Sequence, residues 1–196
     1  MAIEALKRKA PVDSLAMWLD LESLLDLASL DLYTGRADHD LNVRCWRPRE
    51  PDGRWRWILF DMDLWAPVNE NSLERMCSAT AVEAPYLPLL LAHPELGPRF
   101  IARVEGLLAT VLSKAHASQL LDSLYDTHRT AMERDHERWA QVLERPSPRS
   151  SLEELHAHVQ GRPGTLMMQL AEHTRRSLRT IRFESPYPEQ GQLFIE

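Results

Sequence analysis

Two short aromatic-rich segments, LNVRCWRP and RWRWILFD, interrupt an otherwise helical sequence and restrict its fold more than any other feature. The turn sequence PREPDG separates them. Aromatic and β-branched residues that alternate with polar ones are typical of strands, and a connection containing Pro and Gly is typical of a hairpin. The sequence therefore predicts a β-hairpin over about residues 41–61.

Most of the remaining sequence has helical periodicity, with apolar residues three and four positions apart. The pattern predicts helices over 13–33, around YLPLLLAH, over 95–113 and 115–142, a short one from 151, and a last one over 163–178. Asp13 is the predicted cap of the first helix, Gly35 ends it, and Ser151 is the predicted cap of the short one. No period is visible from Leu64 to about Ala84, which predicts a long loop.

These elements predict a mainly α fold with a β-hairpin, in the α+β class. A chain of 196 residues that is 44% hydrophobic is large enough for one domain with a substantial core. The end of the sequence, LRTIRFESPYPEQGQLFIE, returns to strand chemistry without a visible partner strand. We therefore expect one lobe over 1–178 and the start of a truncated β-element over 179–196.

Charge and composition exclude several classes of function. The formal net charge of −6 disfavours nucleic acid as a partner. No apolar run approaches the roughly 20 residues of a membrane span, and no signal peptide is visible. Two cysteines are too few for a disulfide framework. The histidines on predicted helices are expected to be solvated or capping residues rather than zinc ligands: His116, His128, His136, His156, His158 and His173.

Two acidic clusters flank the predicted hairpin. Asp61 and Asp63 end its second strand, and Asp38 and Asn42 precede its first. An antiparallel hairpin brings these two ends to the same edge, so we expect the clusters to converge. Neighbouring carboxylates are costly unless a cation meets them, and a divalent metal is the first candidate. Two Asp and one Asn are also the groups that protein kinases place around magnesium and ATP.

The acidic pair, Asp61 and Asp63, has two other interpretations. A strand ending in FDMD also resembles the start of haloacid-dehalogenase-like phosphohydrolases, but Leu64 and Trp65 stand where that family has Gly-Thr. A doubly wound sheet would also need alternating strands and helices, which the helical remainder lacks. In a purely structural interpretation, Asp61 caps the following turn and Asp63 faces water. That interpretation does not explain the convergence with Asp38 and Asn42.

The segment NVRCWRPREPDGRWRWILFDMD resembles the signature of the CotH kinase family, spore-coat protein kinases with an atypical kinase fold. The segments YLPLLLAHPELGPRFIARVEGLL and ERDHERW extend the resemblance over nearly the whole chain. The resemblance implies the carboxy-terminal lobe of an atypical protein-kinase-like fold, with the amino-terminal lobe missing from this sequence.

The resemblance also implies residue roles. Asp38 is the match for the catalytic Asp, Asn42 and Asp61 for the residues that bind magnesium and ATP, and Asp63 for a second acidic metal ligand. The implied activity is ATP- and Mg²⁺-dependent phosphoryl transfer to a Ser or Thr of a protein substrate. The alternative from another class is a non-catalytic helical interaction module, a pseudokinase-like remnant.

The sequence departs from the family pattern in two places. In the family, the catalytic Asp is followed by Trp and stands five residues before the second Asn. In this chain the position five residues before Asn42 is Ala37, and Asp38, four residues before Asn42, is followed by His39. Either the loop is one residue shorter or the catalytic Asp is absent. The family's Phe-Gly-Phe-Gly is replaced by LWAP, which removes backbone freedom. Without an amino-terminal lobe, an inactive truncated chain is one expectation. Export is common in the family, but nothing in this sequence encodes a compartment.

Overall fold

The computed structural model describes residues 2–36, 42–78 and 86–175, which form a mainly helical body with one antiparallel hairpin, as predicted. In chain order the elements are α1 (Ala2–Lys7), α2 (Val12–Ala16), α3 (Leu21–Thr34), β1 (Arg44–Trp46), β2 (Arg56–Ile58), α4 (Ser72–Met76), α5 (Tyr86–Ala92), α6 (Leu96–Ala109), α7 (Lys114–Leu143) and α8 (Pro148–Thr174). Among the described helices, none is both long and apolar enough to cross a membrane.

Helix α3 lies at the centre of the core. Its Leu24 and Leu32 are fully buried in one cluster with Phe100 of α6 and Leu166 of α8. Burying a side chain of this size contributes about 1.5–3 kcal/mol to folding. The packing therefore fixes the carboxy-terminal end of α3, where the candidate site begins.

The predicted helix over 13–33 is wrong at its beginning, because the chain forms two helices there. Between α2 and α3 the backbone pairs with the hairpin: Trp55 N donates to Trp18 O at 2.9 Å, and Asp20 N donates to Trp55 O at 2.8 Å. These bonds replace helical ones. Helix α3 then begins after Asp20, whose carboxylate accepts from Ser23 N at 3.1 Å.

Two other predicted boundaries are also wrong. The predicted loop over 64–84 contains the short helix α4, capped by Asn71, whose side chain accepts from Glu74 N at 3.2 Å. The two predicted helices after residue 150 are one helix, α8, capped by Ser147 and containing Pro163. The predictions of α5, α6 and α7 are confirmed to within a few residues.

The hairpin is docked on the amino-terminal end of α3. Its register pairs Arg44 with Ile58 and Trp46 with Arg56. Ser23 of α3 anchors β2, since its hydroxyl accepts from Trp57 N at 2.9 Å. Continuing the same register by two residues places Asn42 opposite Phe60, directly before Asp61. The hairpin therefore brings the two ends that carry the predicted site residues together.

Candidate functional site

The site begins where α3 ends, at Gly35. This residue has φ of +62°, in the left-handed region that favours glycine. A Cβ at this position would lie 2.5 Å from Ser72 Oγ and 2.6 Å from Ala66 Cβ. Backbone conformation and space therefore both require glycine, and the turn directs Arg36 into the interior.

Arg36 is fully buried and connects the two ends of the hairpin at the site. Its Nη1 donates to Phe60 O at 2.6 Å and to Asn42 O at 3.1 Å. Its Nη2 lies 2.9 Å from Oδ1 of Asp31, a buried carboxylate on α3. One guanidinium therefore holds both ends of the hairpin against the helix, with its charge balanced inside the protein.

Asn42 and Asp61 contact each other at this edge. Asn42 Nδ2 donates to Asp61 Oδ2 at 3.0 Å. Asp61 has φ of +55°, a left-handed conformation that Asp tolerates better than most residues and that bends the chain at the end of the strand. Its carboxylate is exposed and Asn42 is half-buried, so the pair is open to solvent. The structure thus brings together two of the four predicted site residues.

The other two predicted site residues are Asp38 and Asp63. Asp38 lies outside the described residues, so its catalytic role stays a prediction. Asp63 is exposed and makes no hydrogen bond or ion pair within the described chain. It lines a cleft of about 720 Å³ between the loop over 62–68 and α8, together with Trp65, Glu154 and His158. Its role as a metal ligand also stays a prediction.

The chemistry of the Asn42 and Asp61 pair suits magnesium. No group of three or more His, Cys, Asp or Glu that could hold a metal occurs among residues 2–36, 42–78 and 86–175. Magnesium in nucleotide sites is held by one or two carboxylates, with phosphates and waters completing the octahedron. Asp61 supplies a carboxylate, and rotation of the Asn42 amide by half a turn would supply a carbonyl oxygen. The donor set therefore fits, without an all-protein cage.

A buried arginine, Arg162 of α8, fastens the loop that follows the acidic pair. Its guanidinium donates to the last carbonyls of α3, at Leu32 O (2.8 Å) and Tyr33 O (2.7 Å). It also donates to Val68 O at 3.3 Å and Glu70 O at 3.0 Å in the loop. Arg162 was not among the predicted site residues, because in GRPG it precedes a proline and its segment predicts a helix boundary.

His158 packs beside the same loop, so the prediction that it is solvated is wrong. Its Nε2 lies 3.3 Å from Tyr33 O, and its ring centroid is 4.9 Å from that of Trp65. Trp65 is itself held by a 2.6 Å hydrogen bond from Nε1 to Met62 O. Burial lowers the pKa of His158 below its ordinary value. The imidazole therefore favours its neutral form beside the loop that carries Asp63.

This lowered pKa predicts a loss of stability in weak acid. Unfolded His has a pKa of about 6.5, so below that pH the unfolded state binds the proton more readily than the native state. The contribution of His158 is fully present above about pH 6.5 and is lost as the pH falls, with a slope of at most about 1.4 kcal/mol per pH unit. Urea unfolding between about pH 7.5 and 5 measures it.

Two variants separate this effect from other titrating groups. The His158→Gln variant is expected to show a weaker pH dependence than the unmodified protein, whatever its stability at neutral pH. The His116→Gln variant changes an exposed histidine on α7 and is expected to keep the original dependence. Identical pH profiles for His158→Gln and the unmodified protein would show that this imidazole does not titrate differently on folding.

Comparison with known proteins adds a family assignment. The family model described as CotH kinase protein matches residues 2–166, most of the chain. No curated protein and no solved structure matches this chain. The matched range contains the hairpin, the Asn42 and Asp61 pair and Arg162. The chain therefore belongs to the CotH kinase protein family.

Proposed function

We propose that this chain carries the metal-binding side of a protein kinase site, for ATP- and Mg²⁺-dependent transfer of a phosphoryl group to a Ser or Thr hydroxyl. The observation that supports it best is the 3.0 Å contact between Asn42 and Asp61 at the open edge of the hairpin. Family membership supports a kinase-like function in general.

In this proposal each residue has a distinct task. The Asp61 carboxylate and the Asn42 amide oxygen hold Mg²⁺, which offsets the charge of the ATP phosphates when it is bound. Asp38 orients the acceptor hydroxyl and accepts its proton. Asp63 supplies a second carboxylate beside the same edge. Because little covalent chemistry is asked of the protein, positioning carries most of the effect, and the buried Arg36 maintains it.

Binding of ATP with and without Mg²⁺ tests this function. We expect the unmodified protein to bind ATP in a Mg²⁺-dependent manner by isothermal titration calorimetry. The Asp61→Asn variant is expected to bind at least about tenfold more weakly, since one charged ligand is lost. The matched control is Asp52→Asn, which changes an exposed carboxylate in the hairpin turn and should leave binding unchanged. The proposal is contradicted if the protein does not bind ATP, or if its affinity for ATP depends neither on Mg²⁺ nor on Asp61.

A second candidate is a non-catalytic interaction module. Two observations favour it: the Asn42 amide satisfies Asp61 by a hydrogen bond that needs no cation, and α7 exposes large apolar side chains. A protein of this kind would show no Mg²⁺-dependent ATP binding, while its interactions would be insensitive to Asp61→Asn. The same calorimetric experiment therefore separates the two candidates.

A further inference from the structure

Helix α7 presents an apolar stripe that the described chain leaves uncovered. None of its 30 residues is buried. Its large apolar side chains are between 37% and 71% exposed: Leu120, Leu124, Met132, Trp139, Val142 and Leu143. On an ideal helix with 3.6 residues per turn, all six fall within an arc of about 140°, so they lie along one side of the helix. Contiguous exposed apolar surface of this kind is typical of an interaction site.

Helix α8 packs against a different side of α7. Its His156 Nε2 lies 2.9 Å from Asp122 Oδ1, and its Gln160 Nε2 donates to Ser118 Oγ at 3.1 Å. Ser118 and Asp122 are rotated away from Leu124 and Trp139 on the helical wheel. Towards its carboxy-terminal end the stripe borders α8, where Met132 and Trp139 line a cleft of about 600 Å³ with Ser151. Met132 and Trp139 are still 37% and 40% exposed, so the helical hairpin leaves the stripe accessible.

The order of residues in the stripe is nearly palindromic. Its midpoint lies between Ala131 and Met132. The pairs equidistant from the midpoint are Leu120 with Leu143, Leu124 with Trp139, His128 with Asp135, and Val142 with Leu121, a half-buried residue beside the stripe. In an antiparallel pair of identical helices, related by a two-fold axis at the midpoint, equidistant residues face each other. Each of the six exposed large apolar residues would then meet an apolar residue of the second copy.

The polar residues of the stripe are complementary in the same arrangement. His128 of each copy would face Asp135 of the other, so the two-fold axis produces two such pairs. In each pair the imidazole N–H can donate a hydrogen bond to the carboxylate. Asp135 already lies 3.8 Å from Arg145 Nη1, but both side chains are more than half exposed, and such pairs contribute little. This ion pair therefore does not prevent Asp135 from accepting a bond from a second chain.

We propose that two copies of this chain associate through antiparallel pairing of their α7 helices, with the two-fold axis between Ala131 and Met132. The palindromic apolar pairs supply the attraction, and the His128 and Asp135 pairs set the register. The segment from Leu120 to Leu143 is about 36 Å long, which is long enough for a specific helix–helix interface. The inference does not depend on the proposed kinase function.

The mass of the full chain in solution tests the association. Light scattering and sedimentation equilibrium are expected to show twice the 22.6 kDa of one chain at micromolar concentration. The Leu124→Glu variant should be monomeric with unchanged helix content, because the introduced carboxylate would lie in both of the symmetric contacts with Trp139. The control Met168→Glu alters another exposed apolar residue, on α8, and should remain dimeric. A chain that is monomeric up to about 100 µM, for example because residues 176–196 cover the stripe, overturns the proposal.

A charge exchange tests the register. The His128→Asp variant is expected to weaken association at least about tenfold, because Asp would face Asp. The double variant His128→Asp/Asp135→His restores unlike pairs and should recover most of the lost affinity. An equal or greater loss in the double variant contradicts the pairing.

Disulfide formation tests the orientation. In a Cys45→Ser background, Leu124→Cys protein mixed with Trp139→Cys protein is expected to form a cross-linked dimer more readily than either variant alone. Preferential cross-linking of Leu124→Cys with itself indicates parallel helices and overturns the antiparallel arrangement.

Discussion

Replacing Arg162 with methionine is expected to lower the free energy of unfolding by about 3–5 kcal/mol, within the range for breaking a buried charged network. The fully buried guanidinium donates to four backbone carbonyls. Two are at the end of α3, and two, Val68 O and Glu70 O, are in the loop between Asp63 and α4. It also donates to Ser72 Oγ. Methionine fills similar space but leaves these acceptors without a donor, and the negative end of the α3 dipole without its cation.

Urea unfolding followed by circular dichroism measures this loss. The control is Arg149→Met on the same helix, whose exposed ion pair with Glu153 is worth at most about 0.5 kcal/mol. A loss in Arg162→Met as small as that of the control would mean that water or neighbouring groups satisfy the carbonyls, and that the loop is not held by Arg162.

Replacing Arg36 with methionine is expected to be similarly destabilising, by about 3–5 kcal/mol. The substitution removes the cation that lies 2.9 Å from the buried Asp31 carboxylate. It also removes the donor shared by Phe60 O and Asn42 O, so the two hairpin ends that carry Asn42 and Asp61 lose their connection to α3. Urea unfolding gives the stability, with Arg103→Met, which removes a half-buried ion pair between α6 and Asp26 of α3, as the control.

The Arg36→Lys variant separates charge balance from positioning. Lysine keeps the charge beside Asp31 but cannot reproduce the forked donation to two carbonyls, so we expect a smaller loss of about 1–2 kcal/mol. Binding of Mg²⁺ and ATP should nevertheless weaken at temperatures where the variant remains folded. Unchanged binding in a folded Arg36→Lys protein would mean that Arg36 stabilises the fold without positioning the site.

Elements with a strong local signal could be predicted from the sequence. The aromatic segments flanking PREPDG predicted the hairpin, and the long period-3.6 patterns predicted α6 and α7. Errors occurred where tertiary contacts decided the outcome. Backbone pairing with Trp55 divides the first predicted helix, and Pro163 remains inside α8 although an interior proline costs about 3 kcal/mol. The adjacent Arg162 network holds that part of α8 against α3 and offsets the cost.

The candidate site was predictable only in part for a related reason. Hairpin register is a local property, so the approach of Asn42 to Asp61 followed from the spacing of the acidic clusters. Arg36, Arg162 and His158 were missed because polar residues are exposed by default. Their burial depends on carbonyls and a carboxylate that distant segments bring to them, and no sequence pattern marks those partners.

The most direct test is a crystal structure of the full chain with Mn²⁺ and a non-hydrolysable ATP analogue. We expect an anomalous peak within about 2.0–2.3 Å of an Asp61 carboxylate oxygen and of Asn42 Oδ1, with the amide turned from its present hydrogen bond. A metal and nucleotide bound elsewhere, or a site without a peak in which Asn42 Nδ2 still donates to Asp61, would contradict the metal-binding role of this pair.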